Sequence, residues 1–140
     1  MSLEGLPTAA QSILDALTPA SGGATLVTLS GELGAGKTAL TRAFAHELGV
    51  EESVTSPTFV LEKVYLLPQY GTWKRLIHID AYRLKGGEEL AGLGFDEAMK
   101  DAGNLIVLEW PEQVAGALPA PSLALTLTPQ ADGSRLISYA

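Results

Sequence analysis

Gly31-Glu32-Leu33-Gly34-Ala35-Gly36-Lys37-Thr38 fits the spacing G-x-x-x-x-G-K-[ST] at every fixed position. Its flanks supply the context that gives the spacing a physical meaning. Upstream, Thr25-Leu26-Val27-Thr28-Leu29-Ser30 alternates and carries β-branched residues, as a strand does. Downstream, residues 38–48 read as a helix on which Leu40, Phe44 and Leu48 share one face, and Gly49 marks its end. Gly31, Gly34 and Gly36 let the backbone curl and aim successive N–H groups at one anion. The helix start adds unpaired amides and a partial positive charge. Lys37 reaches terminal phosphates, and the Thr38 hydroxyl suits the magnesium that accompanies them. Nucleotide phosphate binding is therefore expected at residues 34–39, that is Gly34, Ala35, Gly36, Lys37, Thr38 and Ala39.

The rest of the chain surrounds this stretch with a mixed α/β pattern. Residues 7–17 predict a short helix, with Pro7 in its first turn and Ile13, Leu14 and Leu17 as its stripe. Pro57 biases the Ser- and Thr-rich segment 53–58 toward an extended loop, and residues 59–66 predict a strand. That loop follows the phosphate-binding helix, where a switch loop approaches the γ-phosphate in nucleotide hydrolases, so Ser56 and Thr58 are candidates for sensing it. An ordinary Ser/Thr turn fits the same residues.

Residues 75–80 predict a strand that ends on Asp80, paired with 59–66 as a hairpin. Asp80 would orient the attacking water or hold magnesium through water; a carboxylate capping the strand-end turn is the simpler alternative. His78 shares Asp80's face and reads as structural. Arg83, in the following loop, suits either phosphate charge or a surface ion pair. Two short helices then fill residues 86–99, with Leu90, Leu93 and Phe95 turned to the core or to a partner.

Asn104-Leu105-Ile106-Val107-Leu108-Glu109 is the most apolar strand, as expected at the centre of a sheet buried on both faces. It ends on Glu109, the Walker B layout of an apolar strand delivering an acid to the phosphate-bound metal. Trp110 suits base stacking, closing the pocket, or anchoring the core. Residues 122–128 and 135–139 predict a closing antiparallel hairpin.

At 140 residues the chain predicts one domain, 1–140. A net charge of −7 argues against a surface dominated by a basic nucleic-acid groove, so any RNA would be held by a partner. The absence of cysteine excludes disulfides and thiolate metal sites. Without a secretory leader pattern at residues 1–5, a cytoplasmic location is the expectation.

In this order the pieces resemble the bacterial TsaE (YjeE) family, the ATPase of tRNA threonylcarbamoyladenosine biosynthesis. The carriers are residues 31–38, Ser56-Pro57-Thr58-Phe59, His78-Ile79-Asp80-Ala81-Tyr82-Arg83-Leu84 and Leu108-Glu109-Trp110-Pro111-Glu112, together spanning most of the chain. The resemblance implies a compact, three-layer P-loop NTPase fold with a mixed sheet of parallel core and antiparallel pieces. It implies ATP and Mg2+ as cofactors, with Lys37 and Thr38 on phosphate and metal, Glu109 as magnesium ligand and Asp80 required for hydrolysis. It implies work alongside the two homologous proteins that carry out threonylcarbamoyl transfer to the adenosine next to the tRNA anticodon, with hydrolysis supporting turnover of that complex. The family's second P-loop threonine is replaced by Ala39 here. A nucleotide-gated partner-binding switch with incidental hydrolysis remains an alternative. So does a small-molecule P-loop kinase, although nine Lys plus Arg leave little for an Arg-rich lid.

Overall fold

The computed structural model describes residues 5–17, 22–32, 36–50, 62–68 and 72–139. Among them run α1 (Leu6–Ala16), β1 (Thr25–Ser30), α2 (Lys37–Glu47), β2 (Glu62–Leu66), β3 (Arg75–Asp80), α3 (Gly87–Gly92), α4 (Phe95–Met99), β4 (Asn104–Glu109), a 3-10 stretch Pro111–Ala117, β5 (Leu123–Pro129) and β6 (Arg135–Tyr139). The six strands form one sheet in the order β2-β3-β4-β1-β5-β6. β3, β4, β1 and β5 are parallel, while β2 and β6 each add an antiparallel edge.

The strand alternation divides the core into two layers. Val27, Leu29, Leu76, Leu105, Val107, Leu125 and Leu127 face α1 and α2, where they meet Ile13, Leu40 and Phe44. Leu26, Ile77, Ile79, Ile106 and Leu108 face the opposite side, where Leu90, Phe95 and Val114 cover them. The result is three layers, helices over both faces of a mostly parallel sheet. All six residues of β4 are buried, as its unbroken apolar run requires. Leu90 and Phe95 serve as core residues, 1% and 2% exposed.

α2 ends as its sequence directs. Gly49 adopts φ 92°, its N–H bonds the His46 carbonyl, and the Val50 N–H bonds Ala45 O. This doubly bonded left-handed cap satisfies carbonyls that the last turn would leave unpaired. The 3-10 stretch after β4 has no counterpart in the sequence reading. Its signal is weak: Pro111 opens it, and Val114 at φ −131° interrupts it. The strand expected over residues 59–66 is observed from Glu62; its first residues lie outside those described. No helix among the described residues is long and apolar enough to cross a membrane.

Candidate functional site

The register brings the two expected carboxylates side by side. β3 and β4 are parallel with Asp80 opposite Glu109, and β1 pairs β4 with Leu29 opposite Glu109. Both acids therefore sit at the carboxyl edge of the sheet, beside the end of β1 from which the glycine-rich loop departs. Ligands of open α/β sheets bind at this edge. Alternation turns Glu109 toward the α2 side, along with Leu105 and Val107.

α2 presents its amino terminus to the same place. Gly36 takes φ 100°, a left-handed conformation that costs glycine little. The first intrahelical donor is Leu40, whose N–H bonds Gly36 O at 2.9 Å. The amides of Lys37, Thr38 and Ala39 precede it and face out of the helix end. The Thr38 hydroxyl donates to Glu109, 3.3 Å from Oε1 and 3.2 Å from Oε2. Ala39 is half-buried and packs against the core on the α2 side, so what it offers a ligand is its backbone amide.

Lys37 is folded back over its own loop. Its Nζ donates to Gly31 O at 2.5 Å and Glu32 O at 2.9 Å, and lies 4.0 Å from the Trp110 ring centroid. Desolvation pushes the ammonium below a lysine's ordinary pKa, while the charges of Glu109, Asp80 and Glu112 oppose that shift. Trp110 is the one described non-glycine residue with positive φ, at 62°. This is an uncommon conformation for a bulky residue. Its N–H bonds Leu29 O at 3.1 Å, and its ring packs on Tyr82 with centroids 4.9 Å apart. Held this way, Trp110 both roofs the lysine and packs against the core layer that includes Leu26, Ile106 and Leu108.

Asp80 is half-buried, and its Oδ1 accepts the Tyr82 N–H at 3.0 Å. The turn-capping alternative is thus realised, and it fixes the carboxylate at the mouth of the site. Arg83 is exposed in that turn. Gly34, Ala35, Ser56 and Thr58 lie outside the described residues.

His78 takes the structural place expected of it, with one polar partner. It is fully buried, and its Nε2 is hydrogen-bonded to Glu109 Oε2. The signal was present in the alternation, since His78 lies two residues before Asp80 on the face that carries Glu109. Only the β3–β4 register reveals the partner.

The oxygen donors fit a hard divalent cation. Thr38 and Glu109 already converge, with Asp80 adjacent in register. Among the described residues no three His, Cys, Asp or Glu side chains form a complete cage. Few protein ligands, completed by phosphates and water, is the donor set magnesium favours.

The family model for "Threonylcarbamoyl adenosine biosynthesis protein TsaE" matches residues 2–137. The chain belongs to the TsaE family. It is 48% identical over 103 residues to the tRNA threonylcarbamoyladenosine biosynthesis protein TsaE of Streptomyces coelicolor, covering 73% of this chain and 67% of that one. The TsaE of Treponema pallidum is 40% identical over 115 residues, covering 82% and 81%. The crystal structure of YdiB from Bacillus subtilis superposes with a TM-score of 0.74 at 28% identity, covering 99% of this chain and 80% of that one. The mixed sheet and loop–helix arrangement are those of a P-loop NTPase-type fold, as the TsaE resemblance implied.

Proposed function

We propose that this chain is the ATP-binding and ATP-hydrolysing subunit that supports turnover of the tRNA threonylcarbamoyladenosine complex. The observation that carries the reading is the meeting of Thr38 with Glu109 at the start of α2, with Lys37 beside them. The amides of residues 34–39 and the Lys37 ammonium bind the phosphates. Thr38 and Glu109 hold magnesium, which when bound neutralises charge on the phosphate oxygens. Asp80 orients the attacking water, the Ser56–Thr58 loop senses the γ-phosphate, and Trp110 closes over the nucleotide. Phosphoryl transfer asks for such positioning and electrostatics more than for covalent chemistry by the protein. The partners are the two homologous proteins of threonylcarbamoyl transfer, acting in the cytoplasm. A net charge of −7 suits contact with tRNA through those partners better than direct contact.

Hydrolysis with magnesium, measured for the protein alone and then with both partners, tests the reading. Low activity that rises sharply with partners is expected. Tight ATP binding with flat hydrolysis would contradict it and leave a nucleotide-gated switch. Asp80→Asn should keep ATP affinity within about threefold yet lower turnover about a hundredfold, the scale of a lost acid–base group. Wild-type turnover in that variant would remove Asp80 from its role.

Trp110 gives an optical check. The other tryptophan, Trp73, is buried with its indole N–H on Thr25 Oγ1 at 3.1 Å. A change in tryptophan emission on adding ATP should therefore come from Trp110 as Lys37 leaves its ring. Trp110→Phe should abolish the signal; an undiminished signal would show that Trp110 does not meet the nucleotide site.

A further inference from the structure

β3 is an apolar strand apart from its ends and one residue. Leu76, Ile77 and Ile79 are buried among other hydrophobic side chains, and between them His78 is 0% exposed. The imidazole gives its Nε2 to Glu109, while its Nδ1 is buried without a hydrogen-bond partner among the described residues. A residue serving only to fill the core would be better replaced by leucine. Burying a ring nitrogen unsatisfied costs stability. What the imidazole contributes in return is one hydrogen bond, to one carboxylate oxygen.

That carboxylate has few other restraints. Among the described residues its side-chain partners are the Thr38 hydroxyl and His78. Thr38 is the group expected to share the cation with Glu109. Its hydroxyl can offer a lone pair to the cation while its hydrogen stays on the carboxylate, but one donor leaves the carboxylate free to swing about that contact. His78 approaches from β3, on the sheet side, and so supplies a second restraint from a direction different from that of Thr38. Because a carboxylate only accepts, the shared hydrogen belongs to Nε2 of the ring.

We infer that His78 is a positioning residue for Glu109: its Nε2–H holds the carboxylate in the orientation that receives the divalent cation. This rests on the reading of Glu109 as the metal ligand. Partners of ligating groups of this kind change metal affinity by about 10- to 100-fold when removed. The effect should fall on the metal and spare the metal-free nucleotide, whose phosphates meet the α2 amides and Lys37.

The test is Mn2+ binding followed by electron paramagnetic resonance in the presence of ADP, on the intact chain, alongside ADP affinity in EDTA. His78→Leu should weaken Mn2+ binding about tenfold or more, with metal-free ADP affinity within about twofold of wild type. His78→Gln, whose side-chain amide can return an N–H to the Nε2 position, should recover most of that loss. Equal Mn2+ affinity in wild type and His78→Leu would overturn the inference, leaving Glu109 as a ligand that needs no such support. Parallel loss of metal-free ADP binding and of the melting temperature in both variants would also overturn it, in favour of a packing role. Wild type that binds ADP but no Mn2+ would refute the metal reading of Glu109 itself, and the inference with it.

Discussion

Glu109→Gln is expected to lower magnesium-dependent ATP hydrolysis about a hundredfold or more while the chain stays folded. A hundredfold corresponds to about 2.7 kcal/mol of transition-state stabilisation, within what a correctly held cation supplies. The amide keeps the shape of the acid and an oxygen to accept from His78 and Thr38, so those hydrogen bonds have a partner. What is lost is the negative charge that a cation needs. Glu109 is only 2% exposed, so the neutral amide is spared the desolvation of a buried charge, which offsets the attraction to the Lys37 ammonium that is given up. The melting temperature should therefore stay within a few degrees of wild type or rise. Glu109→Ala should behave differently, because it strands the Thr38 hydroxyl and the His78 N–H at about 1–3 kcal/mol each. Hydrolysis by Glu109→Gln near the wild-type rate would show that the carboxylate does not serve the metal.

Lys37→Met is the second large effect, and the pH dependence that Lys37 brings has opposite signs for stability and for ATP affinity. Lys37 is buried, its ammonium held on two carbonyls and roofed by Trp110. With ATP bound, it is expected to exchange those carbonyls for phosphate oxygens. A charge-assisted hydrogen bond contributes about 1.5–3 kcal/mol, so ATP affinity should fall by about 10- to 150-fold in the variant. The pH dependence follows from the lowered pKa of Lys37. Between that value and a lysine's ordinary one, the unfolded chain holds more protons than the folded chain, so the stability of the empty protein rises with pH across the window. Over the same window the ammonium is lost, so affinity for ATP falls. Calorimetric titration of ATP and thermal melting, both carried through the alkaline range, should show these opposite trends in wild type and neither in Lys37→Met. Parallel trends would mean that Lys37 is not the phosphate-binding cation.

Much of this site was written in local patterns. The glycine-rich spacing, the period of Leu40 and Phe44, and the two strands ending on Asp80 and Glu109 each depend on residues close in sequence. Such signals survive without knowledge of the fold. β1, β3 and β4 accordingly have the bounds their sequences predict. What local pattern cannot supply is register across strands far apart in the chain. The placement of His78 against Glu109 spans 31 positions and depends on β3 lying beside β4 in parallel. A buried histidine in an apolar strand looks the same in sequence whether it fills space or holds a carboxylate. The left-handed backbone of Trp110 was hidden for a related reason. Its conformation goes with a hydrogen bond to the Leu29 carbonyl on a neighbouring strand, far away in the sequence.

We propose that Thr38 and Glu109 together hold a divalent cation on the phosphates of ATP. Anomalous diffraction from crystals grown with Mn2+ and a non-hydrolysable ATP analogue tests it most directly. The account predicts one strong anomalous peak in contact with Thr38 Oγ1, a Glu109 oxygen and the analogue's phosphates. A nucleotide bound at the P-loop with the peak elsewhere, or with Glu109 still paired to Thr38 and no metal between them, would contradict it.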